Sequence, residues 1–168
     1  MNAVWSNLIT VIGMLFAGLL TNVVQNRRER DARQDRRAES QRAELLGAVT
    51  TLVSALADHR RAMWSLENAR LSGADDETVA AAVETSHATR SAVTAPLTTV
   101  SILAPTLAGP AEQATQATFA MRGAAAAGDP DVLEARRQAA RGASDQLVAS
   151  ARKFFALSTV TPKWGALR

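Results

Sequence analysis

The first 26 positions contain no Asp, Glu, Lys, Arg or His, and within them Val4 to Val24 is a nearly unbroken apolar run of 21 residues. As a helix rising 1.5 Å per residue, that run measures about 31 Å, the thickness of a hydrocarbon core. Leu8, Ile9, Val11, Ile12, Met14, Leu15, Phe16, Leu19 and Leu20 fill its centre, while Asn7 and Asn22 lie near its ends. Trp5 stands where an interfacial aromatic belongs. A chain that opens this way is expected to cross a membrane once. A cleaved signal peptide fits less well, because Met1 to Asn7 has no Lys or Arg, no Ala-x-Ala pattern follows, and the next segment is Arg-dense. A helix buried in a soluble core fits less well too, since the run is apolar on all sides for about five turns.

The flanks set the orientation. Arg27, Arg28, Arg30, Arg33, Arg36, Arg37 and Arg42 follow the run, and no basic side chain precedes it. The positive-inside rule then places the N-terminus outside and the remainder in the cytoplasm, giving a single-pass protein of the cell membrane. Arg27, Arg28, Arg30, Arg33, Arg36 and Arg37 form a collar suited to anionic lipid headgroups, each worth about 1 kcal/mol near the surface. The same residues account for the basic balance. Residues 1–42 hold seven Arg and four acids, which is the whole formal charge of +3. The later residues are balanced and show no basic tract interleaved with aromatics, so no nucleic-acid partner is expected. Inside the membrane segment, Gly13 and Ala17 stand one turn apart, a small-x-x-x-small pattern that allows close helix packing and a homo-oligomer.

From Asn26 to Arg42 the chain is polar on every side and lacks Pro, Gly and large apolar residues. This composition suits a helical stalk continuing the membrane helix, with a charged disordered linker as the alternative. Apolar periodicity then begins. Leu45, Val49, Leu52, Leu56, His59, Met63 and Leu66 follow one another at alternating spacings of four and three, a heptad seam that Val53 and Trp64 widen. That helix should stop near Leu71, before Ser72-Gly73, with Asp75, Asp76 and Glu77 opening a second one. The second carries Val79, Val83, Ser86, Arg90, Val93, Leu97 and Val100 in the same spacing, and Pro96 is expected to kink it or split it at Ala95. Residues 104–110 read as a turn into a third helix with Pro110 at its first position and Glu112 at its third, ending at Gly123 or Gly128. Asp129 and Pro130 start a fourth, running to about Ala156. Leu133, Ala140, Ala143, Leu147, Ala151 and Phe154 share one of its faces, and Arg137, Arg141, Asp145 and Arg152 the other.

The expected architecture is therefore all-α: a transmembrane anchor at 1–25, a basic juxtamembrane helical stalk at 26–44, an antiparallel cytoplasmic bundle of about four helices at 45–157, and a C-terminal tail at 158–168. With 4% aromatic residues and no Cys, the chain has little to build an aromatic pocket, a structural zinc site or a disulfide framework. His59, beside Asp58, reads as a packed seam residue rather than a catalyst. A metal site would need Asp58, His59, Glu84 and His87 to meet across two helices. No phosphate-cradling glycine loop, nucleophile elbow or Cys nucleophile is present, so neither an enzyme nor a cofactor is expected.

Over Val4 to about Leu71 the layout resembles the peripheral-stalk b subunit of ATP synthases, an N-terminal span followed by a long Arg/Glu/Ala helix. The breaks at 72–73, 96, 105–110 and 128–130 argue against one extended stalk, and no membership follows. Arg outnumbering Lys 17 to 2, with abundant Ala, points to a high-GC bacterial genome. The functional expectation is a membrane-anchored scaffold or adaptor that recruits an unidentified protein partner or self-associates. Met63, Trp64 and Phe154 are its candidate contacts, and Trp164 either plugs the bundle or docks on a partner. The alternatives are a mobile-element or phage-type membrane protein that oligomerises in the envelope, and a helical-bundle signalling module.

Overall fold

The computed structural model describes the backbone of residues 2–159 and the side chains of residues 33–157 other than Asp35. Helix α1 spans Asn2–Leu71, α2 Asp76–Leu103, α3 Pro105–Phe119 and α4 Pro130–Thr159, with a 3₁₀ turn at Ala124–Ala127. Among the described residues there is no strand. Contacts divide the chain into two compact units, Met1–Ala43 and Glu44–Arg168. Among the described residues no helix is long and apolar enough to cross a membrane. The run Val4 to Val24, with Gly13 and Ala17, lies outside the described side chains, as do Arg27, Arg28 and Arg30.

Local chemistry accounts for most of the helix ends. α1 stops at Leu71 as its seam runs out before Ser72-Gly73. Asp75 caps α2 by accepting the Thr78 N–H at 2.7 Å, while Asp76 and Glu77 lie in the positive first turn. Asp129 does the same for α4, accepting the Asp131 N–H at 2.8 Å, with Pro130 as the first helical residue.

One expectation about proline is narrowed and another is corrected. α2 is not split at Ala95; it runs through Pro96 to Leu103. The ring removes the donor for the Ala92 carbonyl, but Ala92 is exposed, so water can reach that oxygen, while Pro96 itself is buried. α3 begins at Pro105 rather than Pro110, so Pro105 takes the first position and Pro110 lies inside the helix. Pro105 supplies the preset φ of a helix start, and Leu107 donates back to the Ala104 carbonyl at 2.8 Å. At its other end α3 stops at Phe119, short of both glycines. Gly123 and Gly128 instead flank the 3₁₀ turn with φ of +77° and +66°, a left-handed backbone that glycine adopts without steric cost.

The bundle core follows the seam. Leu45, Val49, Leu52, Leu56, His59, Met63 and Leu66 are all buried. Two apolar clusters result. One gathers Leu45 to Leu56 of α1 with Val93 and Val100 of α2, Leu107 to Ala114 of α3, and Leu147 and Ala151 of α4. The other joins Met63 and Leu66 to Met121, Ala124, Leu133 and Ala140, with Val79 and Val83 against it. The start of one helix thus lies beside the end of the next, which is the up-down antiparallel arrangement. Much of each cluster is alanine, so the helices approach closely around few large side chains. His59 separates the clusters along α1. Buried Ser86, Thr115, Thr118 and Ser144 donate to carbonyls of their own helices at 2.7–3.0 Å. Those bonds remove the penalty of burying a hydroxyl.

Candidate functional site

Chemistry-bearing side chains of the bundle collect in three places, each set by the register between α1 and another element. The first is the line where α1 meets α4. Arg60 and Trp64 stand one helical turn apart on α1, as do Arg137 and Arg141 on α4. With Arg61 and Ser65 they line an open groove of about 530 Å³. Arg61 pairs with Asp58, and Arg137 pairs with Glu134 at 3.4 Å while its guanidinium carbon stands 5.8 Å from the centre of the Trp64 ring. Among the described residues neither Arg60 nor Arg141 has an ion-pair partner. Burial first and then the Arg141 charge lower the Arg60 pKa; Asp145 opposes them, and Arg137 and Arg61 add smaller downward pulls. The groove therefore holds like charges close together, partly removed from water.

The second place is His59, 2% exposed. Its Nδ1 lies 3.0 Å from Thr89 Oγ1, whose single proton is directed to the carbonyls of Thr85 at 2.9 Å and Ser86 at 3.1 Å. Since that hydroxyl proton is committed, Nδ1–H of a neutral imidazole donates to Thr89. The ring meets Phe119 edge to face at 5.3 Å, and the Arg90 guanidinium covers the Phe119 ring at 4.3 Å. Burial first, then the Arg90 charge, pull the His59 pKa down from 6.5 to about 4. His59 is thus a neutral packed residue. Among the described residues no group of His and carboxylates could hold a metal ion, and Asp58, His59, Glu84 and His87 do not form one.

The third is Glu67, fully buried on α1. Its Oε1 accepts the Gly123 N–H and an Arg70 guanidinium N–H, each at 3.0 Å, and its Oε2 accepts the Ala125 N–H at 2.8 Å. The carboxylate caps the 3₁₀ turn and fastens the connection between α3 and α4 to the end of α1. Arg136 of α4 completes that corner by donating to the carbonyls of Ala120 at 3.0 Å and Arg122 at 3.2 Å. Glu67 was not singled out from the sequence. Its position four residues after Met63 was the available signal, since it lies on the seam side of α1.

The expected contact residues separate. Trp64 is exposed at 37% and belongs to the groove, whereas Phe154 is half-buried and packs edge to face on Phe155 at 5.6 Å. Met63, expected as an exposed contact, is only 3% exposed: it fills the cluster with Leu66 and Met121 and is removed from any surface role. Trp164 lies outside the described residues. Arg33, Arg36 and Arg37 are exposed along α1.

Comparison with known proteins places this bundle in a family. Residues 46–155 match the KilB plasmid transfer protein family, a stretch that coincides with the bundle and covers well over half of the chain. The chain is also 49% identical to Protein KilB of Streptomyces lividans over 150 residues, which is 89% of this chain and 97% of that protein. No solved structure matches. On the extent of both matches, the chain belongs to the KilB plasmid transfer protein family.

Proposed function

We propose that this protein acts in plasmid transfer as a membrane-anchored helical scaffold, its bundle held at the cytoplasmic membrane face, where it recruits partners or self-associates. The observation that carries the reading is the family match across the bundle, which favours a mobile-element role over a host signalling module. The 21-residue uncharged run before the Arg-rich collar supports the anchor and its orientation. The part played is mechanical rather than catalytic, confining an interaction surface to two dimensions beside the membrane that transferred DNA must cross.

In-membrane crosslinking of the full tagged chain, in a host carrying the plasmid, tests this directly. It is compared with a version lacking residues 1–42. Plasmid-encoded partners captured only by the anchored chain are the expected outcome. A ladder of self-crosslinked species with no other protein would move the role to an oligomer in the envelope. Equal partner capture by the truncated chain would remove the anchor from the mechanism.

A further inference from the structure

The groove between α1 and α4 is not used by the scaffold reading, and its electrostatics are unusual for an idle surface. Arg60 and Arg141 lack ion-pair partners among the described residues, although free surface arginines ordinarily point apart into water. Here they stand with Arg61 and Arg137 around one concavity, where burial first and then the Arg141 charge lower the Arg60 pKa. Like charges one turn apart destabilise a helix, and Arg137 and Arg141 are such a pair on α4. An anion in the groove would relieve that repulsion and offer oxygens to planar guanidinium forks, which match phosphate geometry.

Two further features narrow the ligand. Trp64 is 37% exposed in the same groove and presents a flat apolar surface beside the cations. Asp58, Glu134 and Asp145 flank the arginines one turn away along both helices. A long polyanion running past the groove would meet all three carboxylates, whereas a compact ligand on Arg60 and Arg141 would meet chiefly Asp145, whose charge reaches Arg60. The volume of about 530 Å³ falls within the range of small-molecule sites.

We propose that the groove formed by Arg60, Arg141, Arg61, Arg137 and Trp64 binds a compact phosphate ester bearing a flat ring, of the nucleotide class. Arg60 and Arg141 hold the phosphate oxygens, Ser65 offers a hydroxyl, and the ring lies against Trp64. All these residues belong to one unit of the chain, so the site is independent of the membrane anchor.

The test uses the full chain purified in a non-ionic detergent, titrated with ADP, inorganic phosphate, adenosine and an oligothymidylate. Calorimetry and the melting temperature report binding. ADP is expected to bind saturably and raise the melting temperature, with phosphate and adenosine each weaker. The double variant R60Q/R141Q is expected to lose ADP affinity by about tenfold or more, the scale of one charge-assisted bond. Trp64→Leu should weaken ADP by about tenfold through lost stacking and leave inorganic phosphate binding unchanged. Because the altered arginines repel one another, R60Q/R141Q should melt no lower than the parent chain without ligand, so lost binding is not lost folding. Absence of saturable ADP binding, or equal binding by R60Q/R141Q, would overturn the proposal. Tighter binding of the oligothymidylate than of ADP would overturn it as well, in favour of a nucleic-acid groove.

Discussion

His59 and Glu67 show how individual polar residues can be buried within one small bundle on opposite terms. His59 is buried neutral. Its folded pKa is about 4 against 6.5 for a free imidazole, so the unfolded chain binds its proton first as pH falls. The contribution to stability is therefore intact above pH 6.5 and is lost as pH drops from 6.5 towards 4, by on the order of 3 kcal/mol. Facing it are Thr89 and Arg90 from α2 and Phe119 from α3, and Arg70, His87 and Arg122 line the small cavity beside it; Arg90 is the charge that acts on its titration. Denaturant melts at several pH values should show that the His59→Leu variant lacks this part of the decline. An unchanged pH slope in the variant would assign the decline to other groups. Glu67 is buried with every oxygen used. Glu67→Gln turns an amide NH₂ towards a backbone N–H and removes the partner of Arg70, with an expected loss of about 2–4 kcal/mol in urea unfolding. The heptad seam made His59 visible in the sequence as a core residue. Glu67 was hidden because a glutamate in an amphipathic helix reads as solvated unless its acceptors' partners, here 56 and 58 residues away, are already known.

At the scale of elements, caps and patterning were read more easily than interruptions. Asp75, Asp129 and Pro130 stand at helix starts for reasons local to four or five residues, and each does what its type dictates. Pro96 does not split α2 and Pro110 does not open α3, because a proline inside a helix breaks it only where neighbouring contacts do not hold the helix together. Pro96 and Val100 are both buried against the core, so tertiary packing overrides the local penalty. The stretch Gly123 to Gly128 is not the end of α3 but a capped 3₁₀ turn. Gly123→Ala should cost about 1–2 kcal/mol there, since φ of +77° is unfavourable for any residue with a Cβ. Thermal melting compared with Gly142→Ala, a helical position with open space around it, checks this; an equal effect at both sites would exclude a backbone origin. The groove on α1 and α4 was only half legible. The sequence placed Arg137 and Arg141 on one face, but nothing local says which residues of α1 stand opposite.

For the whole molecule, the two apolar clusters combine alanines with few large side chains, which makes the core thin. The bundle matches the KilB plasmid transfer protein family, a membership that no spacing or motif in the chain could reveal. The proposed anchor makes a simple fractionation prediction. The full chain should sediment with membranes and resist carbonate extraction, while a chain lacking residues 1–42 should not. In the proposed role, the bundle works in transfer because it is held at a membrane. Its most direct test is plasmid transfer frequency from a donor lacking its own copy of the gene. The donor is complemented with the full chain, with residues 44–168 alone, or with residues 44–168 behind an unrelated single-pass anchor of the same orientation. Restoration by the first and third and none by the second is expected. Restoration by residues 44–168 alone, at the level of the full chain, would contradict it.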